Sequence, residues 1–111
     1  MKTYRIEVST QAQDAIDGCS YYIEDESGSA EIARRWLRRV YEALATLQYM
    51  PDRYDTAAEG RSLDYEVRRL LVGDYLALYC VDEAAQVVHI LNVRHGSRLP
   101  RPSDLPGKPP R

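Results

Sequence analysis

The sequence predicts an α+β fold: a helical hairpin packed on one face of a mostly antiparallel four-stranded sheet, with elements in the order β-α-α-β-β-β. Three observations carry that expectation. The chain opens on a period-two stretch, YRIEVS at residues 4–9. Two segments with apolar residues at three- and four-residue steps come after it, separated only by Ser27-Gly28-Ser29. Three β-rich runs come next, joined by short turn-forming links.

In the first strand Tyr4, Ile6 and Val8 alternate with Arg5, Glu7 and Ser9, so one side suits a core. Ser9 or Thr10 can cap the next segment, where Ala12, Ala15, Ile16, Cys19, Tyr22 and Ile23 share a helical face and predict a helix over residues 11–25. From Ser29 a stronger pattern (Ile32, Ala33, Trp36, Leu37, Val40, Tyr41, Leu44, Leu47) predicts a second helix to about Gln48. It stops short of Met50-Pro51 because the residue before a proline is disfavoured in the α conformation. So short a link makes the two helices antiparallel neighbours, with Trp36 and Leu37 as the expected anchors against the sheet. The hairpin also brings the acidic end of the first helix towards Arg34, Arg35, Arg38 and Arg39. Mutual neutralisation along a solvated surface is the expectation there, and a binding patch the alternative.

Residues 51–63 carry Pro, Gly, Asp and Ser with little periodicity and read as a loop. The β-rich runs YEVRRLLV (65–72), YLALYCV (75–81) and VVHILNV (87–93) then form a meander, with a tight turn at Gly73-Asp74 and a longer one over 82–86. From Leu99 the chain holds five of its six prolines (positions 100, 102, 106, 109 and 110) and cannot continue a sheet. The expected division is a domain over 1–98 and a proline-rich tail over 99–111, extended on the surface or disordered.

At 111 residues and 12.7 kDa, with 44% hydrophobic and 29% charged residues, one domain can bury a core without a metal or disulfide staple. Cys19 and Cys80 each sit in an apolar pattern and read as buried, reduced thiols. The N-terminus shows no basic-then-apolar segment and no run of eighteen apolar residues appears, so neither secretion nor membrane spanning is expected and the cytoplasm is the expected location. A net charge of -2 and a pI of about 5.7 argue against binding that works by neutralising phosphates, so no direct sequence-specific contact with nucleic acid is expected and a protein partner gains weight. Arginine supplies 13 of the 15 basic residues, which suits planar two-point contacts; a genome rich in G and C accounts for it equally well.

No glycine-rich phosphate loop, HExxH, metal-spaced cysteine pair or GxSxG elbow is present, so no cofactor, no metal and no catalytic set is expected. His89 shares a strand face with Val87, Leu91 and Val93 and reads as a packing histidine. His95 differs: it follows the strand, with Arg94 and Arg98 close by, and two guanidiniums lower a histidine's tendency to hold a proton. It is a candidate base toward an anion, or an unused surface histidine. Nine tyrosines stand against one tryptophan and no phenylalanine, and Tyr75 and Tyr79 alternate with Leu76 and Leu78. That tyrosine side is either a partner surface or the core face beneath the helices.

The order strand, helix, helix, followed by VRRLLVGDYLALYCVD and VVHILNVRHGSR, closely resembles the RelE/ParE superfamily of bacterial toxins from toxin–antitoxin pairs. The resemblance covers about residues 3–99. It rests on Val67-Arg68, on Gly73-x-Tyr75 followed by Tyr79, and on the last strand leading into His95-Gly96-x-Arg98. In the RelE-like branch, which cleaves messenger RNA on the ribosome, an arginine usually follows the tyrosine of the second meander strand, where this chain has Leu76. That branch also places an aromatic residue after the last strand, where this chain reads RLPRPSDL. Arg68, His95 and Arg98 are left as an incomplete set for such chemistry. The HGSR ending, the proline-rich tail and the moderate charge resemble the ParE-like branch instead, whose members bind DNA gyrase. The resemblance implies a gyrase-inhibiting toxin without catalytic residues that docks through Arg94, His95 and Arg98. It also implies a cognate ParD-like antitoxin that forms a hetero-oligomer with the toxin, for which Trp36 and Tyr41 are candidate contacts; both positions also suit the core. A ribosome-dependent endoribonuclease, or an inactive relative that only binds antitoxin, is the alternative.

Overall fold

A computed structural model describes residues 2–110. The elements are β1 (Arg5–Val8), α1 (Thr10–Ser27), α2 (Ala30–Ala45), β2 (Arg68–Val72), β3 (Tyr75–Asp82) and β4 (Val87–His95). They form the anticipated hairpin on a four-stranded sheet of order β1-β4-β3-β2. The sheet is mixed: β2–β3 and β3–β4 are antiparallel, whereas β1 runs parallel to β4. Tight turns impose opposite directions on the meander strands, but no turn links β1 to β4.

Serine hydroxyls start both helices. Ser9 Oγ accepts the Ala12 amide at 3.0 Å and Ser29 Oγ accepts that of Ile32 at 3.2 Å. Gly28 ends α1 in the left-handed region at φ 67, donating its amide to Glu24 O at 2.8 Å. The second helix ends earlier than expected and tightens into a 3-10 turn over Thr46–Gln48. Arg53 reaches back to this end: its guanidinium donates to the carbonyls of Tyr49, Met50 and Thr46, adding to the backbone amides of Tyr49 and Arg53, which already serve Thr46 O and Met50 O.

The first core lies between hairpin and sheet. Ile16, Val40, Leu44 and Leu47 meet Val72, Ala77, Tyr79, Val88 and Ile90. The tyrosine side of β3 is therefore the core side. Tyr79 is fully buried, its hydroxyl donates to Pro51 O, and burial raises its pKa. The deep anchors of α2 are Ala33, Val40 and Leu44, while Trp36 and Leu37 are only half-buried. The apolar stripe is wider than the contact it makes, so its flanks fall on the rim.

Helices on one face leave the other to be covered by something else. A second core does this: Leu76, Leu78, Cys80 and Leu91 are buried beneath Ala57, Val67 and Leu105, with Leu63 and Tyr65 beside them. Leu105 belongs to the tail, which runs over the surface but is pinned. It makes a 3-10 turn over Pro102–Asp104, Gln11 Nε2 donates to Asp104 O, and Tyr65 Oη donates to Pro106 O at 2.6 Å. Both cysteines are free thiols, Cys80 buried and Cys19 half-buried.

The expected charge neutralisation across the hairpin does not occur. Among the described residues the one ion pair on these helices is Arg34–Glu31 at 3.2 Å, within α2 itself. Arg35, Arg38 and Arg39 are exposed and, among the described residues, unpaired, because the acids of α1 and the arginines of α2 both point outward into solvent. Among the described residues no helix is long and apolar enough to cross a membrane.

Candidate functional site: the loop that leaves β4

At the end of β4 the chain turns through His95, Gly96, Ser97 and Arg98. Besides the bonds of Ser97 to the His95 ring, three sets of hydrogen bonds hold this turn. The Arg98 amide donates to His95 O at 3.1 Å, closing the loop on itself. The Gly96 amide donates to Asp74 O at 2.7 Å, tying it to the β2–β3 turn, where Gly73 sits at φ 60. A Cβ on Gly96 would stand 3.2 Å from that same carbonyl, tighter than most side chains tolerate. From beneath, Arg94 Nη1 donates to the carbonyls of Arg98 (3.2 Å) and His95 (3.4 Å).

Arg94 is anchored in turn. Its Nε donates to Glu59 Oε2 at 2.6 Å and Nη2 to Glu59 Oε1 at 3.3 Å, a fork on a carboxylate that is 1% exposed. Of the three residues expected to face a target, Arg94 is thus directed inward, with its side chain 13% exposed. His95 and Arg98 are the two that face outward.

The imidazole of His95 has a defined tautomer. The Ser97 backbone amide donates to Nδ1 at 3.0 Å and Ser97 Oγ lies 2.6 Å from the same atom. An amide nitrogen can only donate, so Nδ1 carries the lone pair and the proton of the neutral ring sits on Nε2. His95 thus presents an N–H donor rather than a basic nitrogen. Its ring stacks edge-on against Tyr75 (centroids 5.0 Å apart), and Tyr75 stacks likewise against Trp36 (4.9 Å), an aromatic file from the rim of the first core to the surface. Burial raises the pKa of Tyr75.

Beside the loop is a groove of about 780 Å³, walled by α1 through Ala15, Cys19 and Tyr22 and by the tail through Leu99 and Arg101. Burial raises the Cys19 thiol's pKa, and the nearby Arg98 partly offsets that. Arg101 is engaged by Asp104 at 3.7 Å, which leaves Arg98, among the described residues, as the guanidinium at this rim without an ion pair.

The other residues singled out in the sequence lie elsewhere. Arg68 pairs with Glu66 at 2.7 Å and donates to Tyr54 O. It stands opposite Tyr79 on β3, while His95 stands opposite Tyr75. Four residues of strand separate the two positions, roughly 13 Å at the usual rise. His89 is buried opposite Cys80, with Nδ1 3.6 Å from Glu7 Oε2 and Nε2 unpartnered. Trp36 is half-buried with Nε1 unpartnered, whereas Tyr41 is 41% exposed at the α1–α2 seam, where its hydroxyl accepts from Gln13 Nε2 at 2.7 Å. Among the described residues no group of three potential ligands could hold a metal.

Sequence reasoning missed Glu59. It lies in a loop without periodicity, and the one signal pointing to it was indirect: Arg94 falls opposite buried Leu76, a position where a guanidinium needs a carboxylate.

The two-helix hairpin, the β1-β4-β3-β2 sheet and the loop leaving β4 define a RelE/ParE-like toxin fold. The family described as "ParE toxin of type II toxin-antitoxin system, parDE" matches residues 6–100, and the chain belongs to that family. Among solved structures, a chain of the chromosomal ParDE toxin–antitoxin system from P. aeruginosa is similar at TM-score 0.69 and 15% identity, over 86% of this chain and 98% of that one. A chain of the archaeal RelE–RelB complex from Pyrococcus horikoshii OT3 is similar at 0.58 and 21%, over 87% and 99%. A chain of the toxin–antitoxin complex RelBE2 from Mycobacterium tuberculosis is similar at 0.59 and 24%, over 86% and 93%. A search of curated proteins finds no match.

Proposed function

We propose that this ParE-family toxin acts by binding DNA gyrase rather than by cutting RNA, and that it docks through His95 and Arg98 on the loop leaving β4. One observation supports the non-catalytic reading most. The groups that phosphodiester cleavage would need do not converge. Arg68 is bound to Glu66 and Tyr54 some 13 Å along the sheet, Arg94 is bound to Glu59, and His95 offers its proton rather than a lone pair. What remains suits recognition: one unpaired guanidinium and one N–H donor on a braced loop can make charge-assisted bonds to carboxylates of a protein surface, or to phosphates of DNA held in it.

The similar solved structures come from toxin–antitoxin systems, which supports a cognate antitoxin as the second partner and a cytoplasmic hetero-oligomer as the resting form. Tyr41 is the better placed of the two candidate antitoxin contacts, since it lies on the open hairpin seam while Trp36 lies at the edge of the core. Expressed without antitoxin, the protein should arrest growth with a DNA-damage response, and purified protein should inhibit gyrase supercoiling. Arg98→Ala should weaken inhibition while antitoxin binding holds. Intact supercoiling with codon-specific cleavage of messenger RNA on translating ribosomes would overturn this reading, as would full inhibition by a folded His95→Ala, Arg98→Ala double variant.

A further inference from the structure

A buried ion pair costs desolvation that its own attraction scarcely recovers, so its presence at one particular place calls for a structural reason. Glu59 and Arg94 lie directly beneath the loop leaving β4. The carboxylate takes Nε and Nη2 of the guanidinium. That fixes the plane of the fork and turns Nη1 toward the carbonyls of His95 and Arg98, the first and last residues of the turn. Without Glu59 the guanidinium would have no reason to lie flat under the loop, and the loop would lose its floor, keeping at His95 O only the Arg98 amide. The pair also cancels the charge of Arg94, so the field at the rim comes from Arg98.

We propose that Glu59 is a positioning residue for target docking, acting through Arg94 to set the direction of the His95 Nε2–H and the Arg98 guanidinium. This rests on the reading that the loop leaving β4 is the docking surface. Glu59 belongs to a 3-10 turn over Ala58–Ser62. That turn is fastened to the sheet by the Ala57 amide donating to Val67 O at 2.7 Å, and Gly60 packs against Val67 so closely that a Cβ would stand 3.2 Å from it. Through Glu59 and Arg94 the docking loop is therefore aligned to the second core.

The test is Glu59→Gln, which keeps the size and removes the charge, read three ways. Ring nitrogen NMR of His95 should show a single Nε2–H tautomer in the parent and a mixture in the variant. Gyrase inhibition should weaken by about tenfold, the effect of misdirecting one charge-assisted contact. Antitoxin affinity should hold, and so should inhibition in Glu66→Gln, which removes the exposed carboxylate partner of Arg68 instead. An unchanged His95 spectrum in folded Glu59→Gln overturns the proposal. A changed spectrum with full inhibition leaves the positioning role standing and removes the docking reading. Since Glu59→Gln strands a buried guanidinium, Arg94→Lys is the second variant: three donors on a single nitrogen cannot span, as the planar fork does, the carboxylate on one side and the two carbonyls on the other, so the same spectral change is expected. In the unaltered protein the Arg94 Nε–H should exchange slowly and that of Arg98 fast; fast exchange at Arg94 would itself refute the arrangement.

Discussion

Single residues here show how burial sets chemistry. Tyr4 donates its hydroxyl to Glu83 Oε2 at 2.6 Å, and this bond to a carboxylate, with burial, pushes the phenol up to about 12. Cys80 lies within the second core, where burial, with a smaller contribution from Asp82, lifts its thiol from 9.0 to about 11. Both are acids whose folded pKa exceeds the unfolded value. Below pH 9 the thiol is protonated in both states and its contribution to stability is intact. As pH rises from 9 through 11 the unfolded chain releases that proton first and stability falls. Urea midpoints should therefore decline from pH 9 to 10, before the tyrosines take over. Cys80→Ala should begin lower at pH 7.5, having lost a packed side chain, and decline less steeply; parallel slopes in parent and variant would show that the thiol titrates alike in both states.

Among the elements, α2 shows what a periodic pattern conveys and what it does not. Its existence and its inward face were legible, because apolar residues at three- and four-residue steps admit few alternatives. Which residues lie deepest was not, since the stripe from Ile32 to Leu47 is wider than the sheet contact and its centre depends on where α1 sits. Leu44 is 2% exposed at the centre and Leu37 lies on the rim. Leu44→Ala should cost about 2–5 kcal/mol and Leu37→Ala clearly less; thermal unfolding with the reverse order would show that α2 is rotated about its axis relative to the sheet. The end of the helix was equally opaque. Met50 adopts φ 47 immediately before Pro51, a conformation costly for a residue with a Cβ, and no local pattern announces it. Side-chain bonds sustain it: Arg53 donates to the carbonyls of Met50 and Thr46 nearby in the chain, and Tyr79 donates to Pro51 O from the sheet.

At the scale of the molecule, one sheet carries two cores, and β4 joins them: Val88 and Ile90 face the hairpin and Leu91 faces the second core. The helical side was readable from period alone. The other side was not, because the segments that cover it, residues 57–67 and the tail, have no repeat and declare themselves only by contact. For the same reason the sequence marked His95 and Arg98 but could not find Glu59. The tail also borders the groove beside the docking loop, through Leu99 and Arg101, so the second core and the candidate site share a wall. Its hold depends on few contacts: Leu105 at 7% exposure, the Tyr65–Pro106 bond and the Gln11–Asp104 bond. If the tail is part of the folded unit, Leu105→Ala should lower stability by about 2–3 kcal/mol, toward the small end of buried leucine truncations because the site lies near the surface. Amide hydrogen exchange should then rise at residues 57–67 and at 101–106 together, while the α1–α2 seam stays protected. An unchanged melting midpoint, with fast exchange along 101–106 already in the parent, would mean that the tail is a loose appendage and that the second core closes without it.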